Sequence, residues 1–134
     1  MPIDQSVSTG NEWESRFGYS RAVRAGNLIF TTGTVSMNPD GSPYTPEGPG
    51  AAGAQAARCL QIIGEAVEQL GGRVTDIVRT RFYVTDISRS EEFGLAHGAF
   101  FGGAGSRPCL TMVEVARLIA PEFLIEIEAE AVVG

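Results

Sequence analysis

Arg107–Leu118 reads RPCLTMVEVARL, and Phe123–Val133 reads FLIEIEAEAVV. Both runs alternate apolar and polar residues with the period of a β-strand. In the second run Phe123, Ile125, Ile127, Ala129, Ala131 and Val133 share one face. Glu126, Glu128 and Glu130 share the other, each about 6.8 Å from the next at a strand's rise per residue. Three like charges in a row require bulk water or cations opposite them. The connection Ile119–Glu122 is short and contains Pro121, so the two runs read as a terminal hairpin.

Working back along the chain, Ser20–Ala25 and Leu28–Thr32 are short strand-like runs, and Gly26-Asn27 between them is a two-residue hairpin signal. Asn38-Pro-Asp-Gly41 is a turn, and a loop with Pro43, Pro46 and Pro49 follows. From Ala51 to Leu70, positions 52, 56, 59, 60, 63, 67 and 70 make one apolar stripe at helical periodicity, ended by Gly71-Gly72. Ile77–Thr85 reads as a strand with Arg79, Arg81 and Tyr83 on one side and Val78, Thr80, Phe82 and Val84 on the other. Ser88 with Glu91 predicts a capping box that opens a second helix running to Phe101 and stopping at Gly102-Gly103.

The order ββ, α, β, α, ββ predicts one α+β domain over residues 18–134. Residues 1–17 are polar and partly acidic, with neither the basic nor the apolar region of a signal peptide, and predict a flexible N-terminal arm. Two helices cover only one face of such a sheet. The other face is either wet or buried by another subunit. If the central and last strands are neighbours, Arg79 and Arg81 lie across from the glutamates as cross-strand pairs.

Composition narrows the function. No apolar run approaches the roughly 20 residues of a membrane helix. The net charge of −6 and pI near 4.7 argue against nucleic acid as a partner, because phosphate contacts need a basic face. Cys59 and Cys109 have no partner spacing and read as reduced thiols of a cytoplasmic protein. One histidine and two isolated cysteines are too few for a zinc site, so no metal is expected. Gly48-Pro-Gly50-Ala-Ala-Gly53 matches G-x-G-x-x-G literally, but a proline-rich loop precedes it and Arg73 stands where an acid belongs. It reads as a helix-entry loop, and no cofactor is expected. His97 shares a helical stripe with Phe93, Phe100 and Phe101: it is either a packed histidine with one hydrogen bond or a cleft acid–base group. Cys109 reads as a buried thiol in preference to a nucleophile, since no base lies near it in sequence.

These residues resemble the reactive intermediate deaminase family, also called Rid, YjgF-like or endoribonuclease L-PSP type, from about Tyr19 to Val133. The carriers are Gly18-Tyr-Ser20, Asn27–Gly33 (NLIFTTG), Asn38–Gly41, Val84-Thr-Asp-Ile87, and above all Val113–Leu118 (VEVARL) with Ile125–Ala129 (IEIEA). The resemblance implies a chorismate-mutase-like (bacillus type) ββαβαββ fold, with two helices on one face of a mixed sheet. It also implies a homotrimer whose sheets close into a barrel, with a small-molecule metabolite bound in each intersubunit cleft. In the best-understood branch those clefts hydrolyse enamines and 2-imino acids to 2-keto acids and ammonium. There an Arg grips the substrate carboxylate, the first Glu of Glu-x-Glu positions water, and a Tyr and a Gly line the cleft.

Carried over by motif, Glu126, Tyr19, Gly33 and Thr111 match. Leu110 stands where the gripping Arg belongs, with Cys109 beside it, and Gly94 replaces an Asn. Arg21, on the face of Tyr19, and Arg107 are the candidate substitutes, and His97 is a further candidate cleft residue. The chain resembles a branch that lacks the gripping Arg. Two functions stay open. One is a small-molecule hydrolase or deaminase acting on an imine, enamine or related carbonyl-type metabolite, inefficient on ordinary 2-imino acids. The other is a non-catalytic trimer that binds or senses a metabolite.

Overall fold

The stripe on the long helix and the alternation on the two glutamate- and arginine-bearing strands meet in one core. The computed structural model describes residues 2–134. In order along the chain are β1 (Gln5–Val7), α1 (Glu12–Phe17), β2 (Ala22–Ala25), β3 (Leu28–Thr31), α2 (Ala51–Gln69), β4 (Ile77–Val84), α3 (Ser90–Gly103), β5 (Cys109–Glu114) and β6 (Ile125–Val132). The six strands form one mixed sheet in the order β1-β2-β3-β6-β4-β5. All pairs are antiparallel except β4 with β5.

Every residue of the stripe read on α2 (Ala52, Ala56, Cys59, Leu60, Ile63, Val67 and Leu70) is buried. It packs over Ile29 of β3 and Ile125, Ile127, Ala129 and Ala131 of β6. Gly71 (φ 85°) ends the helix in the left-handed region, and the Gly72 amide donates to the Val67 carbonyl at 3.0 Å. Phe93, His97 and Phe101 of α3 fill the same layer against Phe82.

Four sequence expectations change. The terminal hairpin does not form, because β4 lies between β5 and β6 and pairs with both. Residues 115–124 are long enough to carry the chain over β4, so a short Pro turn was the wrong reading of this link. On β4 the register shifts between Ile77 and Arg79. This bulge puts Ile77 in the core and leaves Val78 46% exposed. The second helix is entered through a 3₁₀ turn, Ile87–Arg89, capped by Asp86, whose Oδ1 accepts from the Ser88 amide at 3.0 Å; Ser88 with Glu91 makes no capping box. The N-terminal segment, read as a flexible arm, is built into the sheet. β1 pairs with β2, and α1 is capped by Asn11 at its start and by Gly18 (φ 74°) at its end. Buried Glu14 explains the difference, since it ties α1 to Ser8, Thr9 and Arg21.

The helices cover one face of the sheet. By register, the other face carries Leu28 and Phe30, the β6 glutamates with Val132, Arg79, Arg81 and Tyr83, and Cys109, Thr111 and Val113. Leu28, Phe30, Val113 and Val132 are exposed there. Among the described residues no helix is long and apolar enough to cross a membrane.

Candidate active site

Charge accounting on the open face singles out one glutamate. The register sets Arg79 opposite Glu130, Arg81 opposite Glu128 and Tyr83 opposite Glu126, so the cross-strand pairing read from sequence is present. Arg81 Nη1 reaches Glu130 Oε1 at 2.8 Å and Glu128 Oε1 at 3.5 Å. The Tyr83 hydroxyl donates to Glu128 Oε1 at 2.6 Å, and this bond, with burial, raises the Tyr83 phenol above its ordinary value. Glu126 has no such partner among the described residues. Burial raises its carboxyl above the ordinary value of 4.5, the Glu128 charge adds to this, and the Arg21 charge opposes it.

Glu126 rests against Gly33, where the chain leaves β3. The Thr34 amide donates to the Ile127 carbonyl at 2.7 Å, and the Ile127 amide donates back to Thr34 at 2.9 Å. This pair sets residue 33 beside Glu126. A Cβ on residue 33 would overlap the Glu126 carboxyl group, at 2.9 Å from its Cδ. Glycine at residue 33 leaves room for the Glu126 carboxyl group in this position.

Arg21 and Tyr19 complete this cluster. The Arg21 guanidinium lies 5.9 Å from the centre of the Tyr19 ring. Arg21 itself is not a free anion-binding group. It is buried, and it donates to the Gly33 carbonyl at 3.2 Å, to Thr34 Oγ1 at 3.1 Å and to Glu14 Oε2 at 3.5 Å. Glu14 also accepts from Ser8 Oγ at 2.8 Å and from Thr9 Oγ1 at 2.6 Å. Burial alone would raise the Glu14 carboxyl, but these bonds and the Arg21 charge outweigh it and hold it below the ordinary value.

The other site candidates lie apart. Cys109, Leu110 and Thr111 are on β5, the sheet's edge, which β4 separates from β6. That places them two strand spacings, about 10 Å, from the β6 backbone. Leu110 is level with Thr80 and so lies toward the helices, whereas Cys109 and Thr111 lie on the open face with Glu126. Cys109 is exposed, not buried as expected, because it lies on the face of an edge strand that the helices do not cover. Arg107, just before β5, is exposed. His97 belongs to the core: it is buried, its Nε2 lies 2.8 Å from Thr80 Oγ1, and its ring packs on Phe82 and Phe101. Burial lowers its pKa, which favours the neutral ring. Within one chain it is thus placed as the packed histidine with one hydrogen bond. A single chain thus gathers Tyr19, Arg21, Gly33 and Glu126 and leaves the β5 residues at a distance.

Sequence reading missed Glu14 and Thr34. Asn11-x-x-Glu14 followed by Gly18 carries the signature of a short capped helix, which was the available signal for the first. Among the described residues no group of three metal-ligating side chains comes together.

The family model described as Endoribonuclease L-PSP matches residues 9–133. The 2-iminobutanoate/2-iminopropanoate deaminase of Escherichia coli (strain K12) is 34% identical over 131 residues, covering 97% of this chain and 98% of that protein. A solved member of the YjgF/YER057c/UK114 family from Mycobacterium tuberculosis is 45% identical, with a TM-score of 0.82 over 96% of this chain and 98% of that one. The YjgF gene product of E. coli gives a TM-score of 0.77 at 32% identity, over 98% and 97%.

Proposed function

This chain belongs to the Endoribonuclease L-PSP family, the Rid or YjgF-like proteins, and from that premise we propose that it is a small-molecule hydrolase of the imine-deaminase type. Its substrate is an imine, enamine or related carbonyl-type metabolite, bound in clefts between the subunits of a homotrimer with a chorismate-mutase-like barrel. The observation that carries this reading is the unpartnered Glu126 carboxylate beside Gly33, with its proton affinity raised by burial.

A carboxylate in that state suits a water-orienting role, because its pKa is moved toward the working pH. Glu126 accepts a proton from water as the water oxygen adds to the C=N carbon. Glu126 returns that proton to nitrogen, giving a carbinolamine, and transfer of the hydroxyl proton to nitrogen then breaks the C–N bond, releasing ammonia and leaving the carbonyl product. Tyr19 supplies a phenol at the mouth of the same cluster. The homotrimer reading is supported by the apolar residues exposed on the open face and by the split of family-matched residues between two regions of one chain. A neighbouring subunit's β5 would bring Thr111, Cys109 and Arg107 toward Glu126.

The substrate differs from that of the deaminase relative. Leu110 replaces the gripping arginine, and Arg21 makes three hydrogen bonds within the chain. Arg107, just before β5, is an exposed cation. Losing a bidentate arginine in a desolvated site costs about 2–5 kcal/mol, so ordinary 2-imino acids are poor substrates and uncharged imines or amides are favoured. Leu110 and the committed Arg21 equally favour a second reading, a trimer that binds a metabolite without turning it over. To decide, iminoleucine or iminoserine is generated by an amino acid oxidase or dehydratase and its decay followed by semicarbazide trapping. A rate matching that of the E. coli deaminase would overturn the substrate reading. A thermal-shift screen of keto acids and small amides, with turnover assays of the hits, separates enzyme from binder. Stabilisation without turnover supports the binder, and hydrolysis abolished by Glu126→Ala supports the enzyme.

A further inference from the structure

We infer that the Glu14–Arg21 pair is a clamp that positions the Glu126 carboxylate by fixing the Gly33–Thr34 segment beneath it. This inference rests on the reading of Glu126 as the water-orienting group.

Arg21 holds residue 33 through its carbonyl and residue 34 through its hydroxyl. Thr34 is held in turn by the reciprocal backbone pair with Ile127, the residue after Glu126. The Thr34 hydroxyl also donates to the Thr32 carbonyl at 2.9 Å, so its accepting side is presented to Arg21. Arg21 is therefore connected to the strand that bears Glu126 by an unbroken path of hydrogen bonds. Behind Arg21, Glu14 is the counter-charge, itself fixed by Ser8 and Thr9.

A buried ion pair is a costly way to obtain stability, since an apolar pair of similar volume often does as well or better. Its presence beside the one unpartnered glutamate of the open face points to an electrostatic task. The charged and titratable groups around Glu126 are Glu128 on its own strand, Tyr83 on β4, Cys59 on α2, and Arg21 with Tyr19 at the entry to β2. Arg21 is the cation among them, and Glu14 determines how much of its charge Glu126 feels. The N-terminal segment is thereby a working part of the site.

The test uses the full-length protein with ¹³C-labelled glutamate and follows the Glu126 carboxyl by NMR across pH, assigned by comparison with Glu126→Gln. Glu14→Gln keeps the shape of the pair and leaves Arg21 unbalanced, so the Glu126 midpoint is expected to fall. Arg21→Gln removes the cation, so the midpoint is expected to rise. The double variant Glu14→Gln/Arg21→Gln is expected to resemble Arg21→Gln. If Arg21→Gln fails to fold, Arg21→Lys keeps the charge but loses the fork geometry; its midpoint is expected to stay near wild type while the segment loosens. Opposite displacements in the two single variants support the clamp, because a purely structural pair would not split them by sign. An unmoved Glu126 midpoint in both overturns it. Once a substrate is in hand, the turnover rate is expected to fall by on the order of 10²-fold in Arg21→Lys with little change in KM, as a carboxylate misplaced by about 1 Å implies. A rise in KM confined to anionic substrates would instead make Arg21 a direct ligand and overturn the clamp. If the midpoints move as expected but Glu126→Gln leaves turnover intact, the clamp stands and the catalytic reading of Glu126 fails.

Discussion

Substituting Gly33 by alanine tests whether the Glu126 carboxylate rests on residue 33. Gly33 is not among the glycines with positive φ, so an added methyl brings no backbone strain. Its whole cost comes from Glu126, whose Cδ and Cγ would lie 2.9 Å and 3.3 Å from the new Cβ. Carbon atoms in contact settle at about 3.5–4.0 Å. Cγ has only a few tenths of an ångström to yield, but the carboxyl group must swing away. Holding it off its rotamer costs about 0.5–1.5 kcal/mol. Against this, alanine restricts the unfolded chain and gains about 0.4–1 kcal/mol at a compatible backbone. The two nearly cancel, so Gly33→Ala alone is expected to shift stability by less than about 1 kcal/mol. In a Glu126→Ala background the obstruction is gone, and the same methyl should stabilise by about 0.4–1 kcal/mol. The cycle therefore carries a coupling of about 0.5–1.5 kcal/mol, measurable by urea unfolding of the four proteins at one protomer concentration. Additivity within about 0.3 kcal/mol would refute the close approach. Because the displaced group is the proposed water-orienting one, Gly33→Ala should also lose turnover nearly as fully as Glu126→Gln. The double variant should be no slower than either single one.

His97→Ala should destabilise by about 2–4 kcal/mol by opening a cavity beside Phe82 and Phe101, measured by chemical denaturation, without altering any activity that depends on Glu126. Because the folded state lowers the His97 pKa, its neutral form's stability is complete above the ordinary value of 6.5 and is lost as pH falls below it; His97→Gln should flatten that part of the Tm-against-pH curve. Glu126 has the opposite sign of shift for an acid: its raised pKa means that stability is lost as pH rises from 4.5 through the folded value. Glu126→Gln should therefore raise Tm at neutral pH, and the gain should vanish below pH 4.5; equal Tm values at neutral pH would count against a desolvated carboxylate. Arg81→Ala should cost under about 1 kcal/mol if the open face is wet. If the face is buried in a trimer the cost rises to about 3–5 kcal/mol, and sedimentation should then show dissociation.

The parts of the fold legible in sequence are those where one residue's neighbours decide its side. The α2 stripe is buried as its period requires, and the β6 alternation sorts four apolar residues to the core and three glutamates outward. Cross-strand pairing of β4 with β6 followed because opposite charges on two such faces have few other places to go. Strand order was not legible. Alternation on β5 and β6 says which side each residue faces and nothing about which strand lies beside it. A parallel β5 needs only a connection able to cross β4, and residues 115–124 supply one despite Pro121 near their end. The bulge at Val78 was hidden for a related reason, since a register shift is a property of two strands together. In the site, Tyr19, Gly33 and Glu126 were legible through motif. The commitment of Arg21 was not, because its partner sits on a six-residue helix too short to show any period.

The row of three glutamates is therefore divided by how each charge is met. Arg81 and Tyr83 bind Glu128, Arg81 also binds Glu130, and all of these bonds lie on the exposed side of one strand pair. Their partners are ordinary cross-strand neighbours, available to any antiparallel ladder. Glu126 stands at the end of the row where β4 offers a tyrosine already bonded to Glu128, so the ladder sets no cation opposite it. What meets it comes from elsewhere in the chain: a glycine backbone at contact distance and an arginine whose own charge is shared with Glu14. A purely structural sheet would gain by placing a neutral residue at that end, because burial disfavours the charge and Glu128 repels it. A carboxylate retained there, with a glycine that makes room for it and a buried ion pair beside it, is what the proposed water-orienting role calls for. The same arrangement does not require a carboxylate-bearing substrate, since nothing in it spends a free cation on one.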